Sequence, residues 1–169
     1  MKARYLLLAF AVLSCAEPSA PPSPPPPPQA LFGWPLPLPP TGLLNCTPLA
    51  ADSVTQTIGP EGGTIQVGVN TLSIPAGALD TAVTITAVAP SDTLRRVHFE
   101  PAGLTFLQPT WLTMSYADCN LLGSLLPKRI AYTSDDLLQI LEYLPSWDDL
   151  TGQTVTGQLR HFSDYALSW

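Results

Sequence analysis

Apolar and polar residues alternate in short stretches through most of the chain: Ile65, Val67 and Val69; Leu72 and Ile74; Val83, Ile85 and Ala87; Val97 and Phe99; Leu104 and Phe106; Leu112, Met114 and Tyr116; Ile130 and Tyr132. A period of two sends successive side chains to opposite faces, so each stretch predicts a strand with one buried face. Turn-forming groups separate them: Gly59-Pro60-Glu61-Gly62-Gly63, Pro75-Ala76-Gly77, Pro90-Ser91-Asp92, Pro101-Ala102-Gly103, Ser134-Asp135-Asp136 and Asp148-Asp149-Leu150-Thr151-Gly152. Many short strands broken about every ten residues predict an all-β domain, an antiparallel β-sandwich over residues 50–169, large enough for one core. One stretch reads two ways. Leu137, Leu138 and Leu141 could mark a helix face, whereas Ile140, Leu141 and Tyr143 before Pro145 fit a hairpin strand. The all-β surroundings favour the strand.

The first forty residues have a different pattern. Lys2 and Arg4 precede an apolar run from Tyr5 to Leu13, about half the roughly 20 residues a membrane-spanning helix needs. Residues 1–14 therefore read as a secretory signal peptide. Val12-Leu13-Ser14-Cys15 resembles the lipobox of bacterial lipoproteins, which implies a lipid on Cys15 and a membrane contact through that anchor. Cleavage near Ala16 or Ala20, discarding Cys15, is the alternative. Ala16 is not the aspartate that favours inner-membrane retention in such lipoproteins. The expected location is therefore the bacterial cell envelope, at the outer membrane or cell surface.

Residues 15–49 read as a disordered linker. Twelve of the 23 residues from Pro18 to Pro40 are proline, a composition that favours polyproline II and a semi-rigid spacer of roughly 70 Å at ~3.1 Å per residue. Phe32-Gly33-Trp34-Pro35-Leu36-Pro37-Leu38-Pro39-Pro40 also has the character of a recognition peptide for an aromatic-lined groove. Without Lys2 and Arg4, five basic residues face thirteen acidic ones, a formal charge near −8. Arg95, Arg96, Lys128, Arg129 and Arg160 are too scattered for a phosphate-binding stripe, so nucleic acid is not an expected partner.

Four separated motifs together resemble a ZU5 domain: Ile58-Gly59-Pro60-Glu61-Gly62-Gly63; Ile74-Pro75-Ala76-Gly77-Ala78-Leu79; Val97-His98-Phe99-Glu100-Pro101-Ala102-Gly103-Leu104-Thr105-Phe106 with Pro109, Leu112 and Tyr116; and His161-Phe162-Ser163-Asp164-Tyr165. The resemblance implies a β-sandwich used mostly for protein interaction. It also raises self-cleavage, because some ZU5 domains are cut at a similar His-Phe-Ser. By position, Ser163 would be the nucleophile, Phe162 would supply the scissile carbonyl, and His161 would act as base or orienting group. An unstrained serine hydroxyl is a weak nucleophile, so the reaction needs a strained peptide. Strand alternation through Val155, Leu159 and His161 would point His161 inward and Phe162 outward, unless a bulge intervenes. The rival reading is a kinked last strand that buries Phe162 for packing alone.

Cys46 and Cys119, in an oxidising envelope, suit a disulfide, with two free thiols as the alternative. No metal site or cofactor is expected: His98 and His161 are the only histidines, and the acidic pairs lack the spacing of a calcium loop. Trp34, Trp111, Trp147 and Trp169 would serve cell-wall glycan binding only if exposed and close together, and burial of Trp111 is the expectation. The sequence thus predicts a lipid-anchored, non-enzymatic envelope protein with a structural or interaction module and an envelope protein as partner. Autoproteolysis between Phe162 and Ser163, and glycan binding, are the alternatives.

Overall fold

The computed structural model describes residues 42–121 and 126–169; residues 1–14, Cys15 and the proline-rich segment with Trp34 lie outside them. Among the described residues the strands are β1 (Asp52–Ile58), β2 (Gly63–Val67), β3 (Asn70–Ile74), β4 (Val83–Ala89), β5 (Arg96–Glu100), β6 (Thr105–Ser115), β7 (Arg129–Thr133), β8 (Ile140–Tyr143), β9 (Ser146–Asp149), β10 (Thr154–His161) and β11 (Asp164–Ser168). They form two antiparallel sheets, one in the order β1-β4-β5-β11-β7-β8 and the other β2-β3-β6-β10-β9. The inward residues are those the alternation marks: Ile65, Leu72, Ile85, Val97, Phe99, Leu112, Met114 and Ile130 are fully buried in one core.

The ambiguous stretch after Ser134 is a turn followed by β8, not a helix. Leu137 adopts a positive φ of 60° there, and its N–H donates to the Ser134 carbonyl (2.9 Å). The strand reading is thus borne out, and three expectations need correction. Asp148 and Asp149, read as turn residues, instead end β9 opposite Val155 and Thr154. Val69 is exposed, because it falls in the turn between β2 and β3. Trp111 is only half-buried: its neighbours Thr110 and Leu112 take the inward positions of β6, which sends the indole to the outer face. Residues upstream of Ala50 also pack against the sandwich. Leu44 donates its N–H to the Leu167 carbonyl (2.9 Å) and Trp169 donates to Gly42 (3.1 Å), so residues 42–44 run antiparallel to β11 as a further sheet neighbour. Leu44 enters the main core, whereas Leu43 packs with Leu137 and Ala166 in a small second cluster.

Two glycines with the same conformation separate backbone strain from steric fit. Gly62 and Gly103 both have φ 76°. A Cβ on Gly62 would lie 2.4 Å from the Ile74 carbonyl oxygen, whereas one on Gly103 would meet nothing within 4 Å. Gly103→Ala should therefore cost only the left-handed penalty of about 1–2 kcal/mol. Gly62→Ala adds a backbone clash and should cost about 3 kcal/mol or more. Urea midpoints of the two variants check the order, and equal losses would refute the steric account.

Candidate functional site

β10 and β6 stay in register from Thr154↔Ser115 to Leu159↔Thr110, and then the register shifts, so that His161 faces Thr105. Pro109 lies in the skipped stretch of β6 and has no N–H to give a ladder. The irregularity resolves the direction problem posed by simple alternation. Phe162 turns into the core at 1 % exposure, and His161 stays half-buried at its edge. Past this point the chain leaves the five-stranded sheet and enters the six-stranded one as β11, so Phe162-Ser163 is the crossing between sheets.

The crossing is clamped by hydrogen bonds. Phe162 donates its N–H to the Leu104 carbonyl (2.8 Å), Gly103 donates to the Phe162 carbonyl (3.0 Å), and Phe99 donates to the Ser163 carbonyl (3.2 Å). His161 Nδ1 lies 3.4 Å from the same Phe162 oxygen. The Tyr165 hydroxyl donates to the His161 carbonyl at 2.6 Å, and burial, first among its causes, raises the pKa of that phenol. Tyr132 packs edge-on against the His161 ring, with centroids 5.0 Å apart. His161 also borders a cavity of about 210 Å³ with Tyr132, Glu142, Gln158 and Tyr165.

Chemically, the Phe162 carbonyl has a backbone donor on it and a histidine nitrogen close by, an arrangement that would stabilise negative charge developing on that oxygen. Other observations run against the reaction. Positive φ among the described residues occurs at Leu137, Gln153 and five glycines, not in the triplet. The Ser163 hydroxyl has no hydrogen-bond partner among the described residues, so no base holds it for attack. One pair escaped the sequence reading altogether. His98 and Asp164 sit directly opposite on β5 and β11, with Nδ1 and Oδ2 3.0 Å apart, which places a buried carboxylate beside Ser163. Their separation of 66 residues left no local signal.

Cys46 and Cys119 form a disulfide, S–S 1.99 Å, that fastens the start of the packed chain to the residues following β6. Arg95 pairs with Asp118 and Arg96 with Asp92 at 3.1 Å, while Arg129 lies over Tyr143 and Lys128 over Trp169. Trp111 and Trp147 stand together, with centroids 5.3 Å apart. Among the described residues no group of three or more metal-ligating side chains converges, and no helix is long and apolar enough to cross a membrane. A scan against protein-family models finds no match, and neither does a search of curated proteins.

Proposed function

We propose that this chain is a lipid-anchored envelope protein whose ZU5-like sandwich binds another envelope protein and performs no catalysis on other molecules. The supporting observation is at one side of the sandwich. β8 ends the six-stranded sheet and β9 ends the five-stranded one, and the chain from one to the other carries Leu141, Tyr143 and Trp147 at 51, 45 and 57 % exposure. Sheet edges offer unpaired backbone groups, and large exposed apolar side chains beside them suit a partner strand or loop. A photo-crosslinking residue at Leu141 in the full chain should capture a partner in intact cells. The same residue at Gln56, on the opposite edge strand β1, should not. Trp147→Ser should reduce the Leu141 adduct several-fold, and equal capture at both edges would sink this reading.

The donors around the Phe162 oxygen support a second reading, autoproteolysis. Ser163 Oγ would add to the Phe162 carbonyl carbon, the amide C–N bond would break as nitrogen takes a proton, and water would hydrolyse the resulting ester. Intact mass under denaturing conditions should then show loss of the Ser163–Trp169 peptide from the wild type and not from Ser163→Ala. Uncut chains in both preparations leave the triplet as architecture.

A further inference from the structure

We propose that the cavity between β8 and β10 binds a small free α-amino acid, with Arg160 holding its carboxylate and Glu142 its ammonium group. The cavity follows from the strand pairing. Glu142 lies opposite Tyr132, and Tyr132 opposite Tyr165, on β8, β7 and β11, so the three form one row on a single face of the six-stranded sheet. Tyr165 belongs to the main core, which makes that face the inner one. In the other sheet, β9 pairs with β10 only as far as Gly157. Beyond it Gln158 and Arg160 line the opening, and Leu144 and Pro145 close a third side where the chain passes from β8 to β9. The Gln158 N–H donates to the Pro145 carbonyl (3.0 Å) and fixes that wall. The volume is about 210 Å³, below the roughly 300 Å³ at which sites for drug-sized ligands begin. The occupant is therefore small.

Its chemistry follows from the groups left over. Two polar residues of the lining are already engaged: the Tyr165 hydroxyl donates to the His161 carbonyl (2.6 Å), and His161 packs against Tyr132 with Nδ1 near the Phe162 oxygen. The side chains of Glu142, Gln158 and Arg160 make no hydrogen bond among the described residues, and Glu142 and Arg160, both exposed, form no ion pair with each other. Burial first, then the Tyr132 phenol and the Glu142 charge, raise the pKa of the Tyr165 phenol, so the Glu142 carboxylate acts on the cavity floor.

One opening thus carries a carboxylate and a guanidinium that do not neutralise each other. A neutral sugar would leave both charges unmatched, a simple anion would meet Glu142, and a simple cation would meet Arg160. A molecule with ammonium and carboxylate on one carbon matches both, and arginine suits the carboxylate because its planar fork can donate two parallel hydrogen bonds. The Tyr132 ring, Leu144 and Pro145 supply an apolar wall for the ligand's side chain. A peptide end offers only one charge of the pair, so the free amino acid is the better fit.

Titration of the full chain with alanine and with leucine, followed by the backbone amide signals of Glu142, Gln158 and Arg160, tests the proposal. At least one should move those signals saturably at roughly millimolar concentration. Its amide, which lacks the carboxylate, and its N-acetyl form, which lacks the ammonium group, should each bind about tenfold more weakly, the loss of one charge-assisted pair. In Arg160→Gln the amino acid and its amide should bind alike, and in Glu142→Gln the amino acid and its N-acetyl form should. A merely structural role for either residue would leave those ratios unchanged. Both residues are exposed, so the variants keep the fold. Signals that neither amino acid moves would overturn the proposal. So would a blocked form that binds as tightly as the free amino acid, because the site would then take a peptide end.

Discussion

Phe162→Ala lowers the unfolding free energy by about 4 kcal/mol, whereas Ser163→Ala, one residue on, costs less than about 1 kcal/mol. Phe162 is 1 % exposed. Its ring stacks on Phe99 with centroids 5.0 Å apart and meets Phe106 edge-on at 4.9 Å. Removing it takes away both the transfer energy of the ring and the contacts of two aromatic neighbours, which hydrogen-bonded strands on both sheets keep from collapsing inward. Ser163 loses only a hydroxyl without a partner. Urea titrations of the two variants, with unchanged slopes, measure the contrast. A loss below about 1.5 kcal/mol for Phe162→Ala would mean that the site closes up around the missing ring. The triplet would then have lost its packing rationale.

Replacing both Cys46 and Cys119 by alanine should cost about 4 kcal/mol, the unfolded-state entropy attributed to closing a loop of this length. The disulfide spans 73 residues. Its loss also frees a particular segment. Leu44 and Cys46 donate their N–H groups to Leu167 and Thr93 at 2.9 and 2.7 Å, and these bonds join residues 42–49 to a sheet whose other strands need no such tie. Amide exchange at Leu44 and Cys46 should therefore rise well above that at Leu112 and Met114 in β6, while the global midpoint falls. A midpoint equal to that of the wild type, with slow exchange at Leu44, would show that backbone pairing alone holds the segment.

Much of the sandwich was legible because its inward positions are apolar and two apart. Leu72 and Ile74, Ile85 and Ala87, Val97 and Phe99, Leu112 and Met114 are all buried where the alternation points. Pattern failed where long-range pairing interrupts it. Leu43 and Leu44 follow a proline-rich stretch and have no periodic context, yet both are fully buried, because β11 accepts them as a neighbour. Trp111 was expected to be buried on its strand, but parity along β6 assigns the inside to Thr110 and Leu112. At the candidate site the sequence supplied His161, Phe162 and Ser163. It held no sign of Gly103 as the donor to Phe162, nor of Asp164 opposite His98.

By itself, then, the amino-acid order determined the all-β class and most of the strands and turns, though not β1 or β9, since side-chain parity and the conformational preferences of glycine and proline act within a few residues. Tertiary structure alone decided which strands pair, where the packed chain begins, and which way the ring of Phe162 turns. Those outcomes depend on contacts between residues far apart in the chain: Pro109 interrupting a ladder with β10, Leu44 completing one with β11, and Gly103 reaching the Phe162 carbonyl across the sandwich edge. Local pattern cannot encode such pairings, because their energy arises only when both partners have already been brought together.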